Sequence, residues 1–170
     1  EAARSLRDFG ILAALDKAGD AGLTEEEIKA VSGLSDYAVR VLLNAAEGAG
    51  ILRTESGRTS LTKTGCFLLN DPMTKANFDF AADVCIPGVA KLSDSLREGR
   101  PAGLSTLGPW EGTLYPHLRE LSHPARESWF GYDQYFSDNA FSDTVSRVTA
   151  LHPTLLCDIG GNTGKWAIRL

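Results

Sequence analysis

Apolar residues recur at helical spacing through the first third of the chain, then give way to two short runs around a polar turn. Over residues 2–18, Leu6, Phe9, Ile11, Leu12 and Leu15 predict a first helix, stopped by Gly19. Thr24-Glu25-Glu26-Glu27 has the form of a capping box and predicts a second helix, with Ile28 and Val31 inward and Gly33 at its end. Ser35 caps a third, reaching about Glu47, on which Tyr37, Val39, Val41, Leu42, Leu43 and Ala46 form a broad apolar face. Residues 51–54 and 59–62 then flank Glu55-Ser56-Gly57-Arg58, the pattern of a hairpin with a four-residue turn.

The middle of the chain returns to helical spacing. A short helix is expected over residues 66–69, broken at Asn70-Asp71-Pro72. A long apolar helical region follows from about Thr74 to Glu98, kinked or split at Pro87-Gly88. Residues 99–112 are the loosest stretch, with glycines at 99, 103, 108 and 112 and prolines at 101 and 109. Trp110 within it either pins the loop or walls a pocket, and pinning is the simpler role. Ser122-His123-Pro124 opens a helix bearing Trp129, Phe130, Tyr132, Tyr135 and Phe136, aromatics whose default place is a core. Asp138 or Asn139 caps a last helix with Phe141, Val145 and Val148 on one face, ended by His152-Pro153. Residues 155–157 are then a short apolar run of the kind that forms a buried strand in a parallel sheet.

That run leads into Asp158-Ile159-Gly160-Gly161-Asn162-Thr163-Gly164-Lys165, and Trp166, Ala167, Ile168 and Leu170 continue as a helix-compatible tail. Strand, glycine turn and helix start is how an α/β sheet meets a nucleotide-type ligand. The spacing is not the G-x-G-x-x-G of a dinucleotide site. It is not a P-loop either, because only three residues separate Gly160 from Gly164 and Trp166 stands where a hydroxyl is needed. The residues spell D-x-G-G-x-x-G. This resembles motif I of class I S-adenosylmethionine-dependent methyltransferases. The resemblance implies a cofactor site in which Asp158 lies near the ammonium end and Gly160, Gly161, Asn162 and Gly164 form the turn beneath the methionyl and ribose parts. A cofactor with cationic groups and no phosphate suits an acid better than a lysine cradle.

Three helices and a hairpin read as a winged helix, so a DNA-binding regulator with a ligand-sensing C-terminal domain is the alternative reading. Charge opposes it. Residues 1–70 hold 8 Lys or Arg against 10 Asp or Glu, and Arg40 is the one basic residue of the would-be recognition helix. That is no footprint for a phosphate backbone, so nucleic acid is not an expected partner. A winged helix also precedes the catalytic domain in small-molecule O-methyltransferases of the caffeic-acid and hydroxyindole type and their bacterial relatives. The order of parts here resembles theirs, and the Leu96-Arg97-Glu98-Gly99-Arg100-Pro101 step is similar too.

The expected fold is therefore mainly α with a small β-wing. Its parts are a winged-helix dimerisation module (1–70), a helical connector (71–153) and the first strand of a Rossmann-like α/β methyltransferase domain (154–170). The resemblance implies methyl transfer to a hydroxyl of a small aromatic acceptor, by a homodimer joined through its N-terminal helices. It also implies that the aromatic helix passes over cofactor and acceptor, which makes Tyr132, Asp133, Tyr135 and Phe136 pocket candidates. The family's catalytic histidine and its ribose-binding acid lie downstream of motif I, so the catalytic residues are not in this sequence, and the 170 residues alone are expected to be inactive. The start without methionine and the stop one turn into a helix read as a piece of something longer. A net charge of −5, no long apolar run and no signal-peptide pattern suggest a cytoplasmic protein without a membrane span. Cys66, Cys85 and Cys157 have no metal or disulfide spacing and are expected to be buried, reduced thiols; His117, His123 and His152 are scattered, and no metal is expected.

Overall fold

The computed structural model describes residues 1–110 and 112–170. It is mostly helical with one two-stranded sheet, and divides into two compact units, Glu1–Phe78 and Asp79–Leu170. No helix among the described residues is long and apolar enough to cross a membrane.

In the first unit, helices α1 (Ala2–Asp8), α2 (Ile11–Ala18), α3 (Glu25–Ser32) and α4 (Asp36–Gly48) precede strands β1 (Leu52–Glu55) and β2 (Arg58–Leu61) and helix α5 (Lys63–Asn70). The single helix expected over residues 2–18 is two, because Gly10 turns left-handed at φ 73°. That break lets Leu6 on one segment and Ile11, Leu12 and Leu15 on the other face a common core with Ile28, Val39, Leu43, Ala46, Ile51 and Leu52. The capping box forms: the Glu27 N–H donates to Thr24 Oγ1 at 3.2 Å and the Thr24 N–H to Glu27 Oε2 at 2.8 Å. Thr24→Ala should cost about 1 kcal/mol, read as a lower denaturation midpoint at unchanged slope. Ile28 is inward as expected, but Val31 is 52% exposed, since three residues on from Ile28 carries it past the edge of the buried stripe.

The hairpin turn is tighter than the spacing suggested. Glu55 pairs with Arg58, leaving Ser56 and Gly57, both at positive φ, as a two-residue connection. Such turns match the twist of the strands they join. A bridge from Leu23 to Thr59 adds a third segment to the sheet edge. Gly22 permits it, because a Cβ there would lie 2.6 Å from the Thr59 carbonyl oxygen. Thr62 caps α5 by accepting from the Gly65 N–H, so that helix starts three residues earlier than expected.

Helix α6 (Pro72–Phe80) leads out of the first unit. In the second unit a π-helical turn (Ala81–Cys85) leads into α7 (Ile86–Val89), which carries Pro87-Gly88, and the helical region splits just after it, at residues 90–91, before α8 (Leu92–Glu98). An extra residue per turn is how a helix absorbs a local mismatch. Within the stretch 99–112, of which Glu111 lies outside the described residues, a 3₁₀ segment (Ala102–Thr106) packs its Gly103 against Gly88. Trp110 is a pin: its indole N–H donates to Glu120 at 3.0 Å and its ring stacks on His117.

Helix α9 (His123–Asp138) is followed by α10 (Phe141–Ala150). Neither Asp138 nor Asn139 caps α10; Ala140 holds that position, and the Asp138 carboxylate pairs with Lys165 instead. The strand expected over residues 155–157 does not form. The segment is unpaired, with Leu155 90% and Ile159 93% exposed, because a parallel strand needs neighbours and no strand among the described residues flanks it. The tail makes only a 3₁₀ turn (Ala167–Arg169). All three cysteines are free and exposed rather than buried.

Candidate functional site

The glycine turn owes its shape to backbone conformations that few side chains accept. Gly160 (φ 76°), Asn162 (φ 49°) and Gly164 (φ 72°) are all left-handed, and asparagine is among the few non-glycine residues that visit that region readily. Gly161 is required for another reason. The Asp158 carboxylate folds back over its Cα, so that a Cβ would sit 2.6 Å from Oδ2. The turn closes when the Gly164 N–H donates to the Gly161 carbonyl at 2.7 Å.

Side chains from α9 and α10 hold this turn. Asn162 Nδ2 donates to Asp133 Oδ2 at 3.2 Å, Lys165 pairs with Asp138, and the Trp166 indole N–H donates to Thr144 Oγ1 at 2.9 Å. Between turn and helices lies a cavity of about 600 Å³, lined by Asp133, Ser137, Ala140, Phe141, Thr144, Asp158, Gly160, Gly161, Asn162 and Trp166. Its lining holds two carboxylates, two aromatic rings and no lysine or arginine. Burial holds the Asp133 carboxyl above the usual carboxylate range.

Of the residues singled out from sequence, Asp133, Asp158, Gly160, Gly161 and Asn162 meet at this cavity, while Gly164 sits outside its lining and shapes the turn. Tyr132, Tyr135 and Phe136 are elsewhere. Tyr132 stacks on Phe80 with ring centroids 4.5 Å apart, and Phe136 packs against Tyr132 and Tyr135. One helical residue advances about 100°, which turns Tyr132 and Phe136 to one face of α9 and Asp133 and Ser137 to the next. The reading from sequence missed Ser137, Ala140, Phe141, Thr144 and Trp166. A signal existed for four of them: with Asp133 they follow the i, i+4, i+7, i+8, i+11 spacing of one continuous helical stripe.

A second cavity of the same unit, about 550 Å³, is apolar, with Val84, Val89, Leu92, Leu104, Leu107 and Trp129 among its walls and Ser95, Thr113 and Tyr115 as polar members. Among the described residues no group of His, Cys, Asp and Glu could hold a metal ion.

Comparison with known proteins shows what the chain is similar to. Residues 1–59 match the Dimerisation2-like domain. Over 152 residues the chain is 29% identical to the L-tyrosine C(3)-methyltransferase of Streptomyces lavendulae, a match covering 88% of this chain and 41% of that protein. Its fold is similar to that of the S-adenosylmethionine-dependent methyltransferase SibL in its apo form, with a TM-score of 0.63 and 18% identity over 83% of this chain and 42% of that one. It is also similar to the N,N-8-amino-8-demethyl-D-riboflavin dimethyltransferase RosA of Streptomyces davawensis, with a TM-score of 0.54 and 24% identity over 85% and 44%. The chain is thus similar in sequence to a methyltransferase and in fold to two others, and it spans about two-fifths of their length.

Proposed function

We propose that the full-length protein transfers a methyl group from S-adenosylmethionine to a hydroxyl of a small aromatic acceptor, as a homodimer joined through its N-terminal helices. The observation that carries the cofactor half is the 600 Å³ cavity, whose lining joins a glycine turn to two carboxylates and holds no lysine or arginine. A cation without phosphate fits that lining, and a nucleotide phosphate does not. Asp158 would take the ammonium end, and Gly160, Gly161, Asn162 and Gly164 would let the backbone approach. Residues 154–170 would then open the α/β domain, their strand completed by neighbours from the rest of the protein. The apolar cavity around Trp129 is of a size to hold an aromatic acceptor.

When bound, the cofactor supplies an electrophilic methyl group. The protein's task in an in-line displacement is to align the acceptor atom, exclude water and take up its proton. We assign that base to a residue beyond Leu170. A phenolate is nucleophilic at its oxygen and at its ortho carbon, so alignment alone selects between them. The tyrosine C(3)-methyltransferase relative favours transfer to carbon as the second reading. Calorimetry of the full-length protein with S-adenosylmethionine tests the first step, and absence of binding heat would sink the proposal. Turnover with phenolic acceptors follows, and the carbon-13 shift of the transferred methyl separates an ether from a ring-methyl product.

The regulator alternative draws little support from the first unit. Arg58 donates to the carbonyls of Ala21 and Gly22 and pairs with Glu27, while Arg40 pairs with Glu25. A gel shift at low salt should show no duplex binding.

A pH dependence follows from Asp133. Its carboxyl titrates above the ordinary range, and only the ionised form attracts a cation. Affinity for S-adenosylmethionine should therefore fall on acidification, beginning at a higher pH than an ordinary carboxylate would cause. Asp133→Asn should lower the affinity at neutral pH and remove that early loss, leaving only a decline at lower pH.

A further inference from the structure

Lys165 follows the last glycine of the turn and is not among the residues lining the cavity. It reaches back instead to Asp138, at the C-terminal end of α9 and 27 residues earlier in the chain. The pair is not an ordinary surface contact. The two side chains are 38% and 29% exposed, and the second carboxylate oxygen of Asp138 is buried without a hydrogen-bond partner. Holding a carboxylate half-desolvated is costly unless a cation faces it. Next in sequence, Trp166 is anchored on Thr144, whose hydroxyl itself donates to the Ala140 carbonyl at 2.8 Å. The turn touches α9 at two further points, where Asn162 Nδ2 donates to Asp133 Oδ2 at 3.2 Å and Gln134 Nε2 donates to Thr163 Oγ1 at 3.5 Å, both between exposed side chains, so Lys165–Asp138 is the one charged contact that ties it to this helix among the described residues.

We propose that the Lys165–Asp138 pair is a clamp that sets the register of the glycine turn against α9, and that Lys165 and Asp138 are positioning residues for the cofactor. The clamp holds Asn162 within reach of Asp133 and keeps both carboxylates, Asp133 and Asp158, in the lining of one cavity. This rests on the methyltransferase reading above, and it gives Lys165 a role other than the phosphate ligation that its Gly-Lys setting first suggests.

The test is calorimetry of S-adenosylmethionine binding to the full-length protein and its variants. Lys165→Met and Asp138→Asn should each lower affinity about tenfold, and the double variant should be no worse than either single one, as two members of one contact require. The exchanged pair, Asp138→Lys with Lys165→Asp, should recover affinity to within about threefold of the unsubstituted protein, because the contact is restored with its charges reversed. General loosening of the fold would not recover on exchange. Unchanged affinity in the single variants, additive losses, or an exchanged pair as weak as the single variants would overturn the clamp alone. No binding by the unsubstituted protein would overturn the methyltransferase reading and the clamp with it.

Discussion

Gly161→Val in the full-length protein should weaken S-adenosylmethionine binding about a hundredfold, equivalent to about 2.7 kcal/mol. A Cβ at this position would lie 2.6 Å from Asp158 Oδ2 and 2.9 Å from its Cγ, so the carboxylate must leave its place over the turn. Valine adds two further methyl groups to the same space. The loss then has two sources: Asp158 no longer faces the ligand, and the side chain blocks the approach that glycine permits. Gly160→Val should reach a similar loss by another route. Nothing lies within 4 Å of a Cβ there, but φ is 76°, where a β-branched residue is strained by about 1–3 kcal/mol and the turn is forced to re-form. Gly160→Ala separates the two effects. It meets no atom, so it should cost only the backbone strain, about tenfold in affinity. Amide exchange over α1–α4 should be unchanged in all three variants, which distinguishes a local loss at the turn from failure to fold. Retained affinity in Gly161→Val would mean that the ligand does not lie over this turn.

What was legible in the sequence follows the range of the forces involved. The capping box at Thr24, the cap at Ser35 and the hairpin near Gly57 are fixed within four or five residues, and each is found within a residue or two of its expected place. The break at Gly10 was not legible, because Phe9 and Ile11 continue the apolar spacing across it and only packing of the two segments decides for a bend. The strand at residues 155–157 shows the opposite case, a local pattern whose partners are not among the described residues. The site divides in the same way. The glycine turn announces itself by composition, whereas the stripe through Phe141 and Thr144 is visible as spacing but lines the cavity only because α10 packs beside the turn, and Trp166 carries no such signal. Tyr132, Tyr135 and Phe136 were named on a resemblance that specified the helix and left its facing open; Tyr132 stacks on Phe80 and Phe136 packs against both other rings, outside the lining of this cavity.

Leu12→Ala should cost the first unit about 2–5 kcal/mol, since the side chain is fully buried and its removal leaves a cavity that a close-packed core fills only in part. A unit of 78 residues has roughly 4–12 kcal/mol to lose at ordinary stability per residue. One leucine therefore removes a large share. None of the three tryptophans lies in this unit, so fluorescence would not report on it. Amide exchange does: residues of α2 and α4 should exchange about thirtyfold faster or more, with the slowest amides most affected. Tyr37 and Val41 make the informative contrast. They stand four apart on α4, one turn of the same face, and are exposed in the single chain, Tyr37 to 80%. Monomer packing covers little of Tyr37 and about half of Val41, so Tyr37→Ser with Val41→Ser should cost a lone chain far less than Leu12→Ala does. If the Dimerisation2-like domain pairs two copies through this face of α4, the double substitution should instead shift the protein from dimer to monomer in sedimentation, and exchange over α4 should become concentration-dependent. A dimer that persists in the double variant would place the contact on another face of these helices, while Leu12→Ala should weaken any dimer, because an interface cannot outlast the core that shapes it.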